Sequence, residues 1–326
     1  MKKRVAWIDI SKGIAILLMI IGHEISGRSS LYGFIFSFHM PLFFILSGYT
    51  AKLVKNYERL WNNVRKMIVH IWLLAALMVF LYRLEYLFVY HISVWVMIKQ
   101  SIIGIFWGSN LYHPHQVLYT EVMWFLFAYF WARILFDYLQ VIINIKYVGV
   151  VLGLLSYLSY LVSLRHWLPQ TLDIVPIAAL FMWVGAMWKN IEQSNMLNRN
   201  QEQLVVLIFF IGWIAMVQNN IHIEMATRWY PYFIFSIVEA VMGTYVISFL
   251  SKALVSCGNF RIILQFFGKN TLALLCIHQL DFYRIIGYKV LVSPGIAVLT
   301  RMSVDIVVLI VLIGIKHLYK ELRRTK

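Results

Sequence analysis

The sequence predicts an all-α, polytopic membrane helix bundle with about ten transmembrane helices and both termini in the cytoplasm. Composition gives the first indication, because 61% of the 326 residues are hydrophobic and 13% are charged. Soluble domains have about 45–50% apolar and about 25% charged residues. Apolar stretches of about 20 residues, the length that crosses a bilayer, also recur along the whole chain. The sequence therefore predicts a single transmembrane domain that spans residues 1–326.

Ten segments are predicted to span the membrane, although the fifth and seventh are short. Their predicted boundaries are 8–25, 34–54, 67–89, 117–138, 148–162, 171–188, 204–217, 232–250, 262–280 and 294–317. In the long connection 91–116, Trp95, Ile98 and Ile102 follow a helical spacing, so an interfacial or re-entrant helix is expected. The polar, aromatic stretch 108–115 forms either an acceptor entrance or part of the aromatic belt at the bilayer surface.

The formal net charge is +15, and Lys and Arg are concentrated in alternate connections. By the positive-inside rule the N-terminus lies in the cytoplasm, and an even number of spans returns the C-terminus to the same side. This distribution explains the basic charge without a nucleic-acid partner. No small-residue cleavage site follows the first apolar segment, so no signal peptide is expected. Cys257 and Cys276 show neither a disulfide nor a metal-binding pattern, so no metal is expected.

The first two predicted helices carry polar side chains that membrane helices usually exclude. Lys12 and His23 are 11 residues apart, which places them roughly 20° apart around helix 1 and roughly 16 Å apart along it. Asp9 lies one turn before Lys12, where an ion pair is an alternative to a role in donor binding. Intramembrane charges usually face a bundle interior or a wet cavity. His39 precedes Pro41, and its imidazole either takes part in chemistry or satisfies a carbonyl freed by the proline.

These two helices resemble the acyltransferase 3 family of integral membrane acyltransferases. Residues 9–23 begin Asp-Ile-Ser-Lys-Gly-Ile and end Gly-His, while residues 38–49 read Phe-His-Met-Pro-Leu-Phe-Phe and end Ser-Gly-Tyr. Both motifs are similar to those of the fucose 4-O-acetylase branch. Residues 124–126 (Trp-Phe-Leu), residues 267–271 (Phe-Gly-Lys-Asn-Thr) and His278 extend the resemblance over nearly the whole chain.

The resemblance implies an O-acyltransferase, most simply an O-acetyltransferase, in the bacterial plasma (inner) membrane. Its donor would be cytoplasmic acetyl-CoA, and its acceptor a hydroxyl of a cell-surface polysaccharide or lipid-linked oligosaccharide. Membrane lipids and either a second copy of the chain or a polysaccharide-assembly protein are further expected partners. Some relatives carry an extra hydrolase-like domain. None is expected here, so the chain would act alone or hand the acyl group to a partner.

The resemblance also assigns the site residues. His23 would be the general base toward the acceptor hydroxyl, or would carry the acyl group itself. Relatives have an Arg-x-x-Arg pattern after helix 2, which the residues at 59–66 do not reproduce. The expected catalytic residues are His23, Lys12, Glu121 and His39; the donor-binding residues are Lys12, Arg59, Arg65 and Lys66; and the substrate-binding residues are Asp9, Tyr49, Trp124 and His278.

Threading the ten spans divides these residues between two layers. His23, His39, Glu121 and His278 fall in the outer half of the bilayer. The basic residues fall in the inner half or at the cytoplasmic surface: Lys12, Arg59, Arg65, Lys66, Arg133, Arg261 and Lys269. The outer layer can carry out proton chemistry, and the inner layer can hold the phosphates of a coenzyme. The structural alternative is that the imidazoles only join helices and that the loop cations are positive-inside anchors.

Two more charges lie deep in predicted spans. Glu239 has no obvious partner, whereas Asp305 can be neutralised by Arg301 one turn away. Intramembrane Lys, His and Glu are also typical of a proton-coupled secondary transporter of a small solute such as an amino acid. Transporters commonly contain two related halves, and the motif of helices 1 and 2 is not repeated later in the sequence. A non-catalytic subunit of an exopolysaccharide complex is the third hypothesis.

Overall fold

The computed structural model describes residues 4–25, 29–109, 120–194, 196, 198–280 and 294–324. Within these ranges the protein is an all-α bundle without strands, and an isolated β-bridge joins Glu224 to Trp229. The same ranges contain nine helical segments that are long and apolar enough to cross a membrane, and a bent pair of helices gives a tenth. The predicted polytopic helical fold is therefore confirmed. The cytoplasmic placement of the termini remains a prediction.

Fourteen α-helices, numbered in chain order, are found in the described ranges. Three short 3₁₀ turns (Glu121–Met123, Pro169–Thr171 and Leu254–Ser256) and a π-helical turn at Ile68–Trp72 accompany them. The α-helices are α1 Ala6–Glu24, α2 Ser30–Phe36, α3 His39–Thr50, α4 Tyr57–Met67, α5 Leu73–Val89, α6 Val94–Trp107, α7 Trp124–Ile142, α8 Ile145–Ser163, α9 Val175–Gln193, α10 Arg199–Gln218, α11 Ile234–Ala253, α12 Gly258–Lys269, α13 Thr271–Gln279 and α14 Pro294–Arg324.

Two predicted spans are broken, and each break has a local cause. The span predicted at 34–54 is divided into α2 and α3 just before Pro41, which has no N–H to donate to the carbonyl four residues earlier. The span predicted at 262–280 bends by 62° between α12 and α13. The break falls at Asn270, whose side chain donates to the carbonyl of Phe266 (2.8 Å) in place of a continuous helical hydrogen bond. Both breaks place polar backbone next to the cavities described below.

Close helix packing explains several glycines of the sequence motifs. Helix α1 lies against α12, where a Cβ on Gly268 would lie 1.7 Å from the carbonyl oxygen of Asp9. On the facing side, a Cβ on Gly13 would lie 2.1 Å from the carbonyl oxygen of Leu264. No side chain fits at either distance, so glycine allows the two backbones to touch. This contact fixes the position of α1, on which both Lys12 and His23 lie.

The connection between α10 and α11 is anchored by a buried ion pair. Arg228 Nε lies 2.6 Å from Asp173 Oδ2, and Arg228 Nη2 donates to Ser109 Oγ at 2.8 Å. The guanidinium also stacks on the ring of Trp167, 3.9 Å from its centroid. Because both charges are buried and paired, the connection has a defined position. Glu224 is held four residues before this arginine.

The connection predicted at 91–116 contains a helix, α6, as expected. Residues 110–115 of the predicted acceptor entrance lie outside the described residues.

Candidate active site

A cavity of about 600 Å³ opens near the N-terminal half of α1, and we call it the cationic cavity. Among the described residues, four basic side chains and no carboxylate line it. Lys12 is supplied by α1, Lys52 by the segment after α3, Arg59 by α4 and Arg133 by α7. Such a wall attracts anions, and each Arg can bind a phosphate through two parallel hydrogen bonds.

Neighbouring groups orient the cations of this cavity. Asp137 lies behind the wall, where it pairs with Arg133 Nε at 2.8 Å and accepts a hydrogen bond from Asn63 at 3.0 Å. Arg59 is in the first turn of α4, which begins where Asn56 caps the backbone N–H of Arg59 at 2.9 Å. Thr271, the first residue of α13, also lines the cavity. The free N–H groups of a helix N-terminus favour a bound anion.

A second cavity of about 260 Å³ lies at the other end of α1, and we call it the imidazole cavity. His23 in the last turn of α1, His39 at the start of α3 and Glu121 before α7 all line it. Trp124 and Glu224 complete its polar and aromatic wall. The structure therefore brings together all three predicted residues of the outer layer other than His278.

The hydrogen bonds of His39 and Glu121 define what these side chains can do. His39 Nδ1 lies 2.9 Å from the carbonyl oxygen of Ile35, which only accepts, so Nδ1 carries the proton and Nε2 carries the lone pair. The imidazole thus satisfies a carbonyl at the helix break, although not that of Ser37, which Pro41 frees, and it still lines the cavity. Glu121 accepts a hydrogen bond from the Tyr82 hydroxyl at 3.1 Å.

Glu224 contributes a second carboxyl group from outside the membrane spans. Burial raises the pKa of Glu224, while hydrogen bonds from Tyr32 and Thr227 act in the opposite direction. The Tyr32 hydroxyl donates to Glu224 Oε1 at 2.8 Å, and the Tyr32 ring stacks on Phe36. A carboxyl group beside stacked aromatic rings can bind hydroxyl groups while the rings cover an apolar surface. Nearby, burial lowers the pKa of His222.

The two cavities meet along α1. Met19, Met40 and Leu275 line both of them, so the boundary between the cavities is formed by apolar side chains, two of them flexible thioethers. Lys12 lies on one side of this boundary and His23 on the other, separated by roughly 16 Å of helix. Lys12 and His23, which the sequence places at opposite ends of helix 1, thus line two different cavities.

Several predicted site residues lie elsewhere. Arg65 and Lys66 are exposed on α4 and line neither cavity. Tyr49 donates to Glu192 and packs against Trp7, so it also lies outside both cavities. Asp9 is buried where α1 meets α12.

Lys12 faces a cavity and does not pair with Asp9. In the described part of the chain, the Lys12 ammonium and the Asp9 carboxylate are not within the 4.0 Å that defines an ion pair. The ammonium group lines the cationic cavity instead.

His278 lies behind His23. The ring centroids of the two imidazoles are 5.3 Å apart at an interplanar angle of 66°. His278 is only 5% exposed and does not line the imidazole cavity itself.

Tyr32 and Glu224 were not predicted as site residues. They are 192 residues apart in the sequence, and neither lies in a motif or a helical pattern that points to the other. Arg133 was placed in the basic layer without an assigned role, because nothing local shows that it faces the same space as Arg59.

The comparisons with known proteins agree with this geometry. Residues 5–315 match the acyltransferase 3 family, whose shared region is described as an acyltransferase domain. No curated protein and no solved structure matches the chain. The matched region contains both cavities and all the helices that form them. The chain therefore belongs to the acyltransferase 3 family and is a multi-pass membrane acyltransferase.

Proposed function

We propose that this acyltransferase is an O-acetyltransferase of the bacterial plasma membrane, of the fucose 4-O-acetylase-like branch. It would take the acetyl group of cytoplasmic acetyl-CoA and attach it to a hydroxyl of a cell-surface polysaccharide or a lipid-linked glycan. One observation carries the proposal: a cationic cavity and an imidazole cavity meet at Met19, Met40 and Leu275 along a single helix.

The cationic cavity suits the donor. Coenzyme A carries several phosphate charges at one end and a thioester at the other, joined by a thin pantetheine arm. Lys12, Arg59 and Arg133 offer the phosphates a wall without a competing carboxylate in the described part of the chain. The N-terminus of α13 adds backbone donors to the same space.

The boundary between the cavities suits the transfer. An extended arm can reach along α1 toward His23 if Met19 and Met40 change rotamer, which unbranched thioether side chains do readily. The apolar boundary would at the same time keep bulk water from the thioester, which limits its hydrolysis.

The imidazole cavity suits the acceptor. Glu121, Glu224 and the stacked rings of Tyr32 and Phe36 offer carboxylate acceptors for hydroxyl groups and a flat surface for a sugar ring. His23 would take the proton of the attacking hydroxyl as its oxygen bonds to the carbonyl carbon. The carbon–sulfur bond then breaks, and His23 returns the proton to the departing sulfur. His39, with its Nε2 lone pair, would be the alternative base.

Reconstituted protein tests the proposal directly. Proteoliposomes would receive radiolabelled acetyl-CoA outside and, inside, a panel of bacterial exopolysaccharides and lipid-linked oligosaccharides. We expect label on an enclosed glycan with the wild type, and strongly reduced label with His23→Ala. His317→Ala is the matched control, because that histidine lies exposed on α14, away from both cavities.

Three results would contradict the proposal. Equal labelling by the wild type and His23→Ala would remove His23 from the chemistry. Equal labelling of the glycan in liposomes that lack the protein would show that the protein does not catalyse the transfer. Uptake of a solute driven by a proton gradient, with no acetyl transfer, would support the transporter hypothesis instead.

A further inference from the structure

The imidazole of His23 is backed by a second, buried imidazole. His278 on α13 contacts the His23 ring edge to face, with 5.3 Å between the ring centroids. The side chain of His278 is 4% exposed and lines neither cavity, so an acceptor bound in the imidazole cavity is not expected to touch it. A histidine that touches the catalytic candidate without lining the cavity can influence the reaction only by acting on its neighbour.

A carboxylate fixes the orientation of this second imidazole. Asp305 Oδ2 on α14 lies 2.8 Å from His278 Nδ1, and the Asp305 side chain is 1% exposed. Arg301 Nη2 donates to the carbonyl oxygen of His278 at 2.7 Å, and its Nε lies 3.8 Å from the same carboxylate oxygen. Arg301 Nε also lies 3.3 Å from His278 Nδ1, but the carboxylate of Asp305 is closer to that atom and can only accept, so we assign the Nδ1 proton of His278 to the bond with Asp305.

We propose that Asp305 and His278 are positioning residues that hold His23 in a reactive orientation and stabilise its protonated form. This inference rests on the proposed function of His23 as the base. Asp305 contacts His278, and His278 in turn contacts His23, so the three side chains connect α14 and α13 to the last turn of α1. Arg301 completes the arrangement by fixing the backbone of His278.

The charges explain why the carboxylate matters. Arg301 carries a fixed positive charge, and the carboxylate of Asp305 lies close enough to balance it, at 3.8 Å. When the acceptor oxygen bonds to the acyl carbon, its proton moves to His23, which becomes an imidazolium ion. Without the Asp305 charge, the buried guanidinium of Arg301 would remain unbalanced close to that imidazolium and would oppose its formation.

The test compares two carboxylate substitutions on the same helix. Asp305→Asn keeps the size of the side chain and removes its charge. Glu321→Gln is the matched control, because Glu321 also faces a histidine on α14, with His317 Nδ1 3.4 Å from its Oε1, but on the exposed surface. We expect Asp305→Asn to lower kcat for acetyl transfer about 100-fold with KM values for donor and acceptor within about twofold of wild type. Glu321→Gln should leave kcat unchanged.

A second comparison separates positioning from a structural role. Asp305 acts through His23, so adding Asp305→Asn to His23→Ala should cause no further loss of the residual rate. A purely structural role would lower the residual rate and the acetyl-CoA affinity of the double variant as well. His278→Gln serves as the second variant if Asp305→Asn is not recovered as a folded protein, and its kcat should fall to a similar extent.

The outcomes distinguish this inference from the proposed function. Active wild type together with an unchanged kcat in Asp305→Asn, or in His278→Gln, overturns the inference and leaves the proposed function intact. Additive losses in the double variant also overturn it. A wild type that transfers no acetyl group to the glycan panel overturns the proposed function, and the inference falls with it.

Discussion

The two cavities of this acyltransferase differ in the kind of charge that they present. The cationic cavity exposes Lys12, Arg59 and Arg133, and the carboxylate that pairs with Arg133, Asp137, is buried behind the wall. The imidazole cavity presents side chains that can gain or lose a proton, because the carboxyl groups of Glu121 and Glu224 line it together with the two histidines. Fixed cations bind anions over a wide pH range, whereas an imidazole exchanges protons near neutral pH. In the proposed function, one helix would thus support two separate chemical tasks, because they are divided along its length.

Removing the imidazole of His23 should have the largest effect on acetyl transfer, and that effect should not extend to donor binding in the cationic cavity. We expect His23→Ala to lower kcat for acetyl transfer by about 10³-fold, within the range expected for loss of a general base. Binding of acetyl-CoA, measured by isothermal titration calorimetry in detergent, should stay within about twofold because Lys12 and Arg59 are unaffected. A parallel loss of donor affinity would show that the cavities are not independent.

Removing a cation should have the opposite signature. Arg59→Ala should raise KM for acetyl-CoA about 30-fold with little change in kcat, because a charge-assisted hydrogen bond contributes about 1.5–3 kcal/mol. Lys66→Ala is the matched control, since Lys66 lies on the same helix but outside the cavity lining. Steady-state kinetics with a single glycan acceptor measure both. If Lys66→Ala weakens donor binding as much as Arg59→Ala, the cavity is not the donor site.

Enlarging a side chain at the boundary should affect the link between the cavities and neither cavity by itself. Met40→Phe replaces a flexible thioether with a rigid ring, so the acyl arm would pass less readily. We expect kcat to fall about fivefold while donor affinity stays near wild type. Met78→Phe on α5 is a control for overpacking, because Met78 is a core residue that lines neither cavity. Equal losses of activity in the two variants would argue against a path through the boundary.

The smallest expected effect concerns stability and the raised pKa of Glu224. The folded protein binds this proton more tightly than the unfolded chain, whose ordinary Glu pKa is 4.5. The contribution to stability is therefore largest below that value and declines as the pH rises through the raised folded pKa. Glu224→Gln removes the decline and can still accept the Tyr32 hydrogen bond.

Thermal unfolding in detergent measures this effect. The Tm of Glu224→Gln should exceed that of wild type by about 2 °C near pH 8 and should match it near pH 4. Glu58→Gln, an exposed carboxyl substitution on α4, should shift Tm at neither pH. A lower Tm for Glu224→Gln near pH 8 would contradict the raised pKa.

Patterns along one helix were sufficient to predict the fold and part of the site. Apolar length predicted the membrane spans, and the angular spacing of Lys12 and His23 placed them along a common stripe. The i, i+4 spacing of Arg301 and Asp305 correctly predicted that their charges lie close together, at 3.8 Å. These features depend on local geometry, which the helical repeat determines.

Contacts between distant segments could not be predicted in the same way. The shorter contact of Asp305, at 2.8 Å, crosses to His278 on another helix, and Tyr32 contacts Glu224, which lies 192 residues further along the chain. The bend at Asn270 was missed because the apolar segments on either side of it add up to the length of one span, although Gly-Lys-Asn-Thr at 268–271 interrupts the apolar pattern. Gly13 and Gly268 belong to motifs that resemble those of a family, but the sequence does not show why glycine is needed there. The structure gives the reason, which is contact between the backbones of α1 and α12.

The Met19, Met40 and Leu275 boundary has a consequence for the cell that carries this protein. An open aqueous passage between two such cavities would let protons run down the membrane potential and dissipate the energy of respiration. Three uncharged side chains that line both cavities would, under the proposed function, form a barrier that a slender acyl arm can pass and that a hydrated ion crosses only at great cost. In the proposed function, the enzyme would therefore export a chemical group across the bilayer while the membrane stays electrically tight.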